Sequence, residues 1–249
     1  MFSKIVSGVA NPFADPSVVE RYEGWYTGQG RDADALEKRL LGKLLAHFPS
    51  AQTALEVGCG TGHFSRWLAE RGLGVTGLDL SRPMVLEARR LQSPPCLQGD
   101  AQALPFADHS VDLVVLITTL EFLENPLGTL VEAVRVARHG LLLGVLNRWS
   151  LLAFRYRASG KSLWQAAHFF TVGELKRLVM QAAKGRLRSM RWRTTLWPIP
   201  YLPDAPLPWG GFIGLAVQLV DEKQEGSDDW DISAGQPLPA SPGTRVAGH

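Results

Sequence analysis

Cysteine is nearly missing from this chain: two residues, Cys59 and Cys96, in 249 positions, at a spacing that suggests no pairing. A disulfide framework is therefore excluded as the source of stability, and a reducing compartment fits. Long apolar runs are missing as well. No segment approaches the ~18 uninterrupted apolar residues of a membrane-spanning helix. Residues Met1–Ala10 hold one lysine and none of the apolar core that a secretory leader needs, so the expected location is the cytoplasm. The six histidines, two cysteines and scattered acids never fall at metal-ligand spacing, and no metal is expected. What remains is an ordinary globular composition, 45% hydrophobic with a net charge of +2. It is enough for one large α/β core with additions.

The most informative stretch runs from Leu55 to Ser65, Leu-Glu-Val-Gly-Cys-Gly-Thr-Gly-His-Phe-Ser. An apolar strand enters a turn packed with Gly58, Gly60 and Gly62, and a helix follows. Glycines there let the backbone turn sharply and approach a ligand. A dinucleotide turn usually reads G-x-G-x-x-G and faces a pyrophosphate. This one reads G-x-G-x-G and carries Glu56 two residues before its first glycine. A carboxylate repels phosphate and attracts an amine or a sulfonium. S-adenosylmethionine has both cations and no phosphate. The stretch resembles motif I of the class I S-adenosylmethionine-dependent methyltransferases, and the likeness continues through about residue 146. The phrases G-D-A-Q-x-L-P-F and D-x-S-x-x-M are most similar to the small-molecule and quinone-type (methyltransferase type 11-like) subgroup.

That resemblance implies roles for particular residues. Asp79, ending Gly74–Ser81 beside Leu80, takes the ribose-binding position, where a charged acceptor suits two hydroxyls. Asp100 and Ala101 take the adenine-binding positions, and Met84 the apolar position against the base. Glu56, Gly58, Cys59, Gly60 and Gly62 make the turn. Tyr22, on a leader ahead of the sheet, is the candidate to reach the methionine portion, with Trp25 and Tyr26 behind it. Val111–Ile117 is a continuous apolar run of the sort a doubly buried strand shows, and it ends at Thr118, where the family's active site opens.

Helical spacing is read from Pro16 and again over 32–48, with further helices near 64–71, 82–92, 126–138 and 171–184. Strands are read near 54–58, 74–79, 96–99, 111–117, 140–146, 187–196 and 213–220. The expected architecture is a Rossmann-like, seven-stranded, mostly parallel sheet with helices on both faces; the resemblance makes the last strand antiparallel. The expected organisation is a helical leader and cofactor cover over 1–50, a methyltransferase domain over 51–220, and a disordered acidic tail over 221–249. Two segments rich in aromatics and proline, 147–170 and 196–212, should lie over the strand ends as the substrate side.

Charge is uneven. Asn147–Arg193 holds three lysines and eight arginines against Glu174, a net of +10, whereas Asp221–His249 has a net of −4. A basic face suits an anionic acceptor, an anionic membrane surface or nucleic acid. Methyl transfer from a sulfonium needs a general base only when the acceptor starts protonated with a high pKa. His168 and Glu121 are the candidates, and His63 reads as a helix start. The expected function is methyl transfer to a small-molecule acceptor that is apolar, aromatic or anionic. An RNA methyltransferase and a catalytically silent cofactor-binding partner subunit are the alternatives. Against nucleic acid, strand 111–117 is followed by Thr118-Thr119-Leu120, without the Asp/Asn-Pro-Pro-aromatic signature of base-amino methyltransferases.

Overall fold

The computed structural model describes residue 13, residues 15–158, residue 164, residues 167–197 and residues 204–220. The expected acidic tail and parts of both aromatic segments lie outside these residues. Helices α1 (Pro16–Thr27) and α2 (Arg31–Leu45) precede a Rossmann-like alternation. It runs β1 (Thr53–Val57), α3 (His63–Ala69), β2 (Gly74–Asp79), α4 (Arg82–Arg90), β3 (Cys96–Gln98), β4 (Val111–Ile117), α5 (Pro126–Val136), β5 (Ala137–Leu146), α6 (Leu151–Ala158), α7 (Val172–Ala183), β6 (Leu187–Thr195) and β7 (Phe212–Leu219). The sheet order is β3-β2-β1-β4-β5-β7-β6. Pairs among β1 to β5 are parallel, and β7 runs antiparallel to both β5 and β6.

Alternation along each strand divides the core in two. Leu55, Val57, Val114, Leu116, Leu141, Leu143, Val145, Ile213, Leu215 and Val217 pack with Leu130, Val134, Leu175 and Val179 of α5 and α7. Ala54, Val75, Leu113, Val115, Ile117, Leu142, Phe212 and Ala216 pack on the other face with Leu40, Leu41 and Leu44 of α2 and Phe64, Trp67 and Leu68 of α3. Side chains of a strand point alternately to opposite faces, so a continuous apolar run feeds both layers. Helix α2, read as part of a cofactor cover, thus belongs to a main helical layer. Its fit on the sheet depends on Gly214: a Cβ there would lie 2.0 Å from Leu40 Cδ2.

Helix starts follow local chemistry. Ser81 caps α4 by accepting from the Met84 amide, and Asn125 caps α5 by accepting from Gly128. Thr171 and Glu174 form a reciprocal capping box on α7. Several element ends differ from the sequence reading by one to three residues, and the junction of α5 and β5 has a clear cause. Helix α5 stops at Val136 and β5 starts at Ala137, because Val111 pairs with Ala137 ahead of an irregularity in the ladder. There Arg138 and His139 turn toward Asp112 instead of extending a polar helical face. The segment after Asn147, read only as a loop, contains α6.

Candidate active site

The cavity sits at the carboxyl ends of β1, β2 and β4, where the strand order reverses and open α/β sheets bind ligands. Its floor is the glycine turn. The amides of Gly58 and Cys59 both donate to the Leu78 carbonyl, at 2.7 and 3.1 Å, and fasten β1's exit to β2. Gly58, Gly60 and Gly62 adopt φ of +74°, +53° and +79°, a region where side chains cost energy. Space decides the first position as well: a Cβ on Gly58 would lie 2.3 Å from Thr119 Cγ2. Thr119 is fixed by donating from Oγ1 to the Val57 carbonyl at 3.1 Å.

Asp79 is the best-held polar group of the cavity. The Gly60 amide donates to Oδ2 and the Ser81 amide to Oδ1, each at 2.8 Å. Burial nevertheless raises its carboxyl above the ordinary value, against the lowering effect of those two amides. Opposite, Asp100 lines the wall with Gly99, Ala101 and Gln102, and its Oδ1 accepts from the Gln102 amide at 2.9 Å. Met84 is 1% exposed yet lines the cavity near Gly60, so packing and lining coincide in one side chain. Tyr22 closes the cavity from α1. Burial pushes its phenol up to about 12, so it stays protonated at neutral pH; its oxygen accepts from the Tyr26 hydroxyl at 3.3 Å and its ring walls the cavity. Thr118 is a β-branched residue at φ +50°, held by its amide bond to the Gly144 carbonyl at 2.7 Å. Such strain needs surrounding structure to maintain it and collects at functional sites.

Nine of the twelve residues that the sequence put on the cofactor side therefore meet at one cavity: Tyr22, Gly58, Gly60, Asp79, Leu80, Met84, Asp100, Ala101 and Thr118. Glu56, Cys59 and Gly62 do not line it. Glu56 lies buried beneath the turn, accepts from Ser65 Oγ, and has its carboxyl pushed up to about 8 by burial. Cys59 turns inward, with its sulfur 3.6 Å from that of Cys96. The two thiols fill the space over Gly77, where a Cβ would lie 2.7 Å from Cys59 Sγ. Gly62 caps α3 in the left-handed conformation.

Neither candidate base lines the cavity. His168 Nε2 lies 2.7 Å from Glu174 Oε1 and 3.0 Å from Arg148 Nη2, so its ring is engaged at the start of α7. Glu121 is fully buried in the short 3-10 turn Leu120–Phe122 and accepts from the Leu146 amide at 2.6 Å. His63, as read, starts α3; it stacks on Tyr26 at 3.6 Å and meets Asp34 at 2.8 Å. Trp25 packs against Gly30 and Tyr26.

Sequence reading missed Phe13, Leu78, Gly99, Gln102, Thr119, Phe122, Leu123 and Glu124 as lining residues. All but Phe13 adjoin a motif already singled out. Phe13 has no periodic partner in the sequence, and the Ser81 hydroxyl holds its carbonyl over the cavity at 2.6 Å. The basic segment contributes little here. Arg148 pairs with Glu174, Arg186 donates to the carbonyls of Val134 and Ala137, and Arg193 pairs with Asp204. Among the described residues no lysine or arginine lines the cavity, no group of histidine, cysteine and acids could hold a metal, and no helix is long and apolar enough to cross a membrane.

Comparisons with known proteins bear on the family and the fold. Residues 55–143 match a family described as a methyltransferase domain. An uncharacterised protein of Mycobacterium tuberculosis is 32% identical over 227 residues, covering 86% of this chain and 75% of its own length. The malonyl-[acyl-carrier protein] O-methyltransferase of Pectobacterium atrosepticum is 38% identical over 104 residues, 41% of this chain and 40% of that protein. Among solved structures, a SAM-dependent methyltransferase of Thermotoga maritima, described as a possible histamine N-methyltransferase, superposes with a TM-score of 0.71 at 28% identity. That match covers 82% of this chain and 97% of the other. The magnesium protoporphyrin IX methyltransferase of Synechocystis, solved with bound SAH, shares the fold at 16% identity and a TM-score of 0.57, over 81% and 94% of the two chains.

Proposed function

Because this chain belongs to the class I S-adenosylmethionine-dependent methyltransferases, we propose that it methylates a small-molecule acceptor with an apolar or aromatic part, bound beside the cofactor in the cavity just described. S-adenosylmethionine supplies a methyl group on a positively charged sulfur. Asp79 would hold the ribose hydroxyls, Asp100 and the Ala101 amide the adenine edge, Met84 its face, and the glycine turn and Tyr22 the amino-acid end. The open space about Gly60 suits this ligand: a Cβ there would only touch Tyr22 and Met84, at 3.7 and 3.9 Å. The cleft is partly open to solvent, which leaves an acceptor a way in beside the cofactor.

The observation that carries the acceptor class is the cavity's far wall. Among the described residues Phe13, Tyr22, Phe122 and Leu123 line it beside Glu124, with no lysine or arginine, which supports an apolar or aromatic acceptor and gives none to the anionic one. The description of the Thermotoga protein also names a small aromatic molecule as acceptor. For the protein the work is positioning: aligning methyl and nucleophile at ~3 Å and excluding water recovers much of the barrier. Thr118, Thr119 and Phe122, at the end of β4, are the side chains available for that alignment. A nucleic-acid acceptor draws support only from the basic segment, where Arg148, Arg186 and Arg193 serve internal contacts.

The test is transfer of labelled methyl groups from the cofactor into an extract divided into small-molecule, lipid, protein and RNA fractions. Label is expected in the small-molecule fraction. Label confined to RNA, with salt-sensitive RNA binding, would overturn the acceptor class.

A further inference from the structure

Polar groups normally cover the outward face of a surface helix, and α6 does the opposite. Ala153 is buried and Leu152 and Tyr156 pack on the core, so one face of the helix is occupied. The other face presents Leu151, Phe154, Arg155 and Ala158, at the i, i+3, i+4, i+7 spacing of a single stripe. Leu151 is 54% exposed and Phe154 70%. Trp149, just ahead of the helix, is 64% exposed, and Trp209, in the segment that leads into β7, is 59% exposed. With Leu207 these are five of the ten large apolar side chains exposed among the described residues, gathered in two short stretches of chain.

One buried side chain joins the two stretches. Asn147 accepts from the Trp149 amide through Oδ1 at 3.1 Å and donates through Nδ2 to the carbonyls of Pro208 and Gly210, at 2.6 and 2.7 Å. It thereby clasps the backbone on both sides of Trp209 and ties it to Trp149. Ser150 then starts α6 by donating to the Asn147 carbonyl at 2.8 Å and accepting from the Ala153 amide at 3.1 Å. Gly211 seats the helix from the other stretch, since a Cβ there would lie 3.0 Å from Leu152 Cδ2. A well-bonded anchor thus holds apolar side chains out toward solvent, an arrangement that adds nothing to the core and marks a surface for contact.

Position and charge say what that surface meets. Asn147 follows the carboxyl end of β5, the strand beside β4, so the patch stands on the same edge of the sheet as the cavity. On the inner side of α6, Tyr156 stacks on Trp164 at 4.3 Å, and Trp164 meets the cavity-lining Phe122 at 6.3 Å. The stretches 147–173 and 196–212 carry Arg148, Arg155, Arg157 and Lys161 against one acid, Asp204, which is buried and paired with Lys43 and Arg193. Packed on a second copy of itself, the face would set base near base. An anionic bilayer suits both kinds of side chain: phosphates for the bases, and for the rings the boundary layer in which tryptophan collects.

We propose that the outward face of α6, with Trp149 and Trp209, is a docking surface for an anionic lipid bilayer, on which the protein sits peripherally with the cavity's edge of the sheet toward the membrane. Insertion is limited to the rings and the first turns of chain behind them, since no described helix is long and apolar enough to cross. Resting on the small apolar acceptor proposed above, such docking would hold the cavity near the layer in which molecules of that kind concentrate.

The test is flotation of the full-length protein with vesicles of phosphatidylcholine alone and of phosphatidylcholine with about one third phosphatidylglycerol, at low and high salt. The variants are Trp149→Ala combined with Phe154→Ala, Trp209→Ala alone, and Arg155→Ala alone. Flotation is expected with the anionic vesicles, weaker at high salt, and near background with phosphatidylcholine alone. Each ring removed is expected to lower partitioning about tenfold, and removal of Arg155 about fivefold. Cofactor affinity by calorimetry should stay within about twofold and the melting temperature should hold, because these side chains are exposed. No flotation with anionic vesicles at low salt, or equal flotation of the wild type and the combined variant, would overturn the docking surface. So would a dimer, or RNA binding, that the same substitutions abolish while vesicles go unbound. A wild-type protein that floats but binds no cofactor would overturn the methyltransferase reading and leave the docking surface in place.

Discussion

Asp79 shows how a single carboxylate is prepared for a ligand. Two backbone amides fix both of its oxygens before anything binds, so little side-chain freedom remains to be lost on binding. Asp79→Ala is expected to weaken cofactor binding by about 1.5–3 kcal/mol, the usual worth of a hydrogen bond to a charged group; unchanged affinity by calorimetry would remove the ribose assignment. Gly58 makes a sharper case, since both its φ and the Thr119 methyl exclude a side chain. Gly58→Ala is expected to destabilise the fold by at least about 1–2 kcal/mol from backbone strain alone, read as a lower melting temperature. Cofactor affinity should fall with it because the floor of the cavity must shift.

The buried acids also fix how stability changes with pH. Glu121 titrates near 4.5 in an unfolded chain and at about 8 in the folded protein. Between these values the unfolded chain has released a proton that the folded protein keeps. Stability contributed by this group is therefore complete below about 4.5 and is lost as pH rises to about 8. Glu37 and Glu56 act in the same direction. Asp34, Asp112, Glu174 and Asp204, whose pKa values are lowered by hydrogen bonds and ion pairs that outweigh their burial, act oppositely and lose their contribution as pH falls toward and below the ordinary carboxylate range. The melting temperature should peak in mildly acidic buffer, and Glu121→Gln should flatten the decline toward pH ~8.5, where it should raise stability by about 1–2 kcal/mol. A wild-type melting temperature that rises steadily from pH 6 to 8.5 would contradict this account.

Helix caps and strand ends decide the fold at the level of single elements. Thr171→Ala removes one half of the capping box on α7 and should cost about 1 kcal/mol. Denaturant unfolding should detect that loss without a change in cofactor affinity, because α7 is remote from the cavity. Elements with strong periodicity were legible in the sequence: the doubly buried β4 and β5, the amphipathic α2, and the glycine turn with its flanking strand and helix. The convergence of Asp79, Asp100 and Met84 on one cavity was legible for the same reason, since they sit at fixed distances from strand ends. Three things were not legible. The end of α5 depends on where Val111 finds its partner, a contact between distant segments. Helix α6 has apolar residues on all sides, with Leu151 and Phe154 exposed and Ala153 buried, and so lacks a periodic signal. His168 and Glu121 were read from their proximity in sequence to expected strand ends and aromatics, which cannot tell where a side chain turns: His168 meets Glu174, and Glu121 points to Leu146.

At the scale of the whole molecule, the cavity is contained in the first half of the sheet and its leader, while α2 crosses to the second half and packs on β5, β6 and β7. The leader is thereby bound to both ends of the sheet. Tyr22 lies on α1, which packs against α2, so a ligand that fixes α1 affects the setting of α2. Cofactor binding is expected to protect the amides of both helices from hydrogen exchange, even though only α1 lines the cavity. Protection limited to the glycine turn and α1 would argue against that coupling.

The position of β7 governs when the molecule can be finished. Among the described residues it is the final strand in sequence but an interior one in space, inserted between β5 and β6 and bonded to both. Until Phe212–Leu219 leave the ribosome, the nascent sheet has an open seam beside β5, and β6 lacks its neighbouring strand. Every described residue that lines the cavity is synthesised long before the seam can close. A chain ended before Phe212 should accordingly emerge with its cofactor residues complete and still be captured by chaperones or aggregate through that exposed edge.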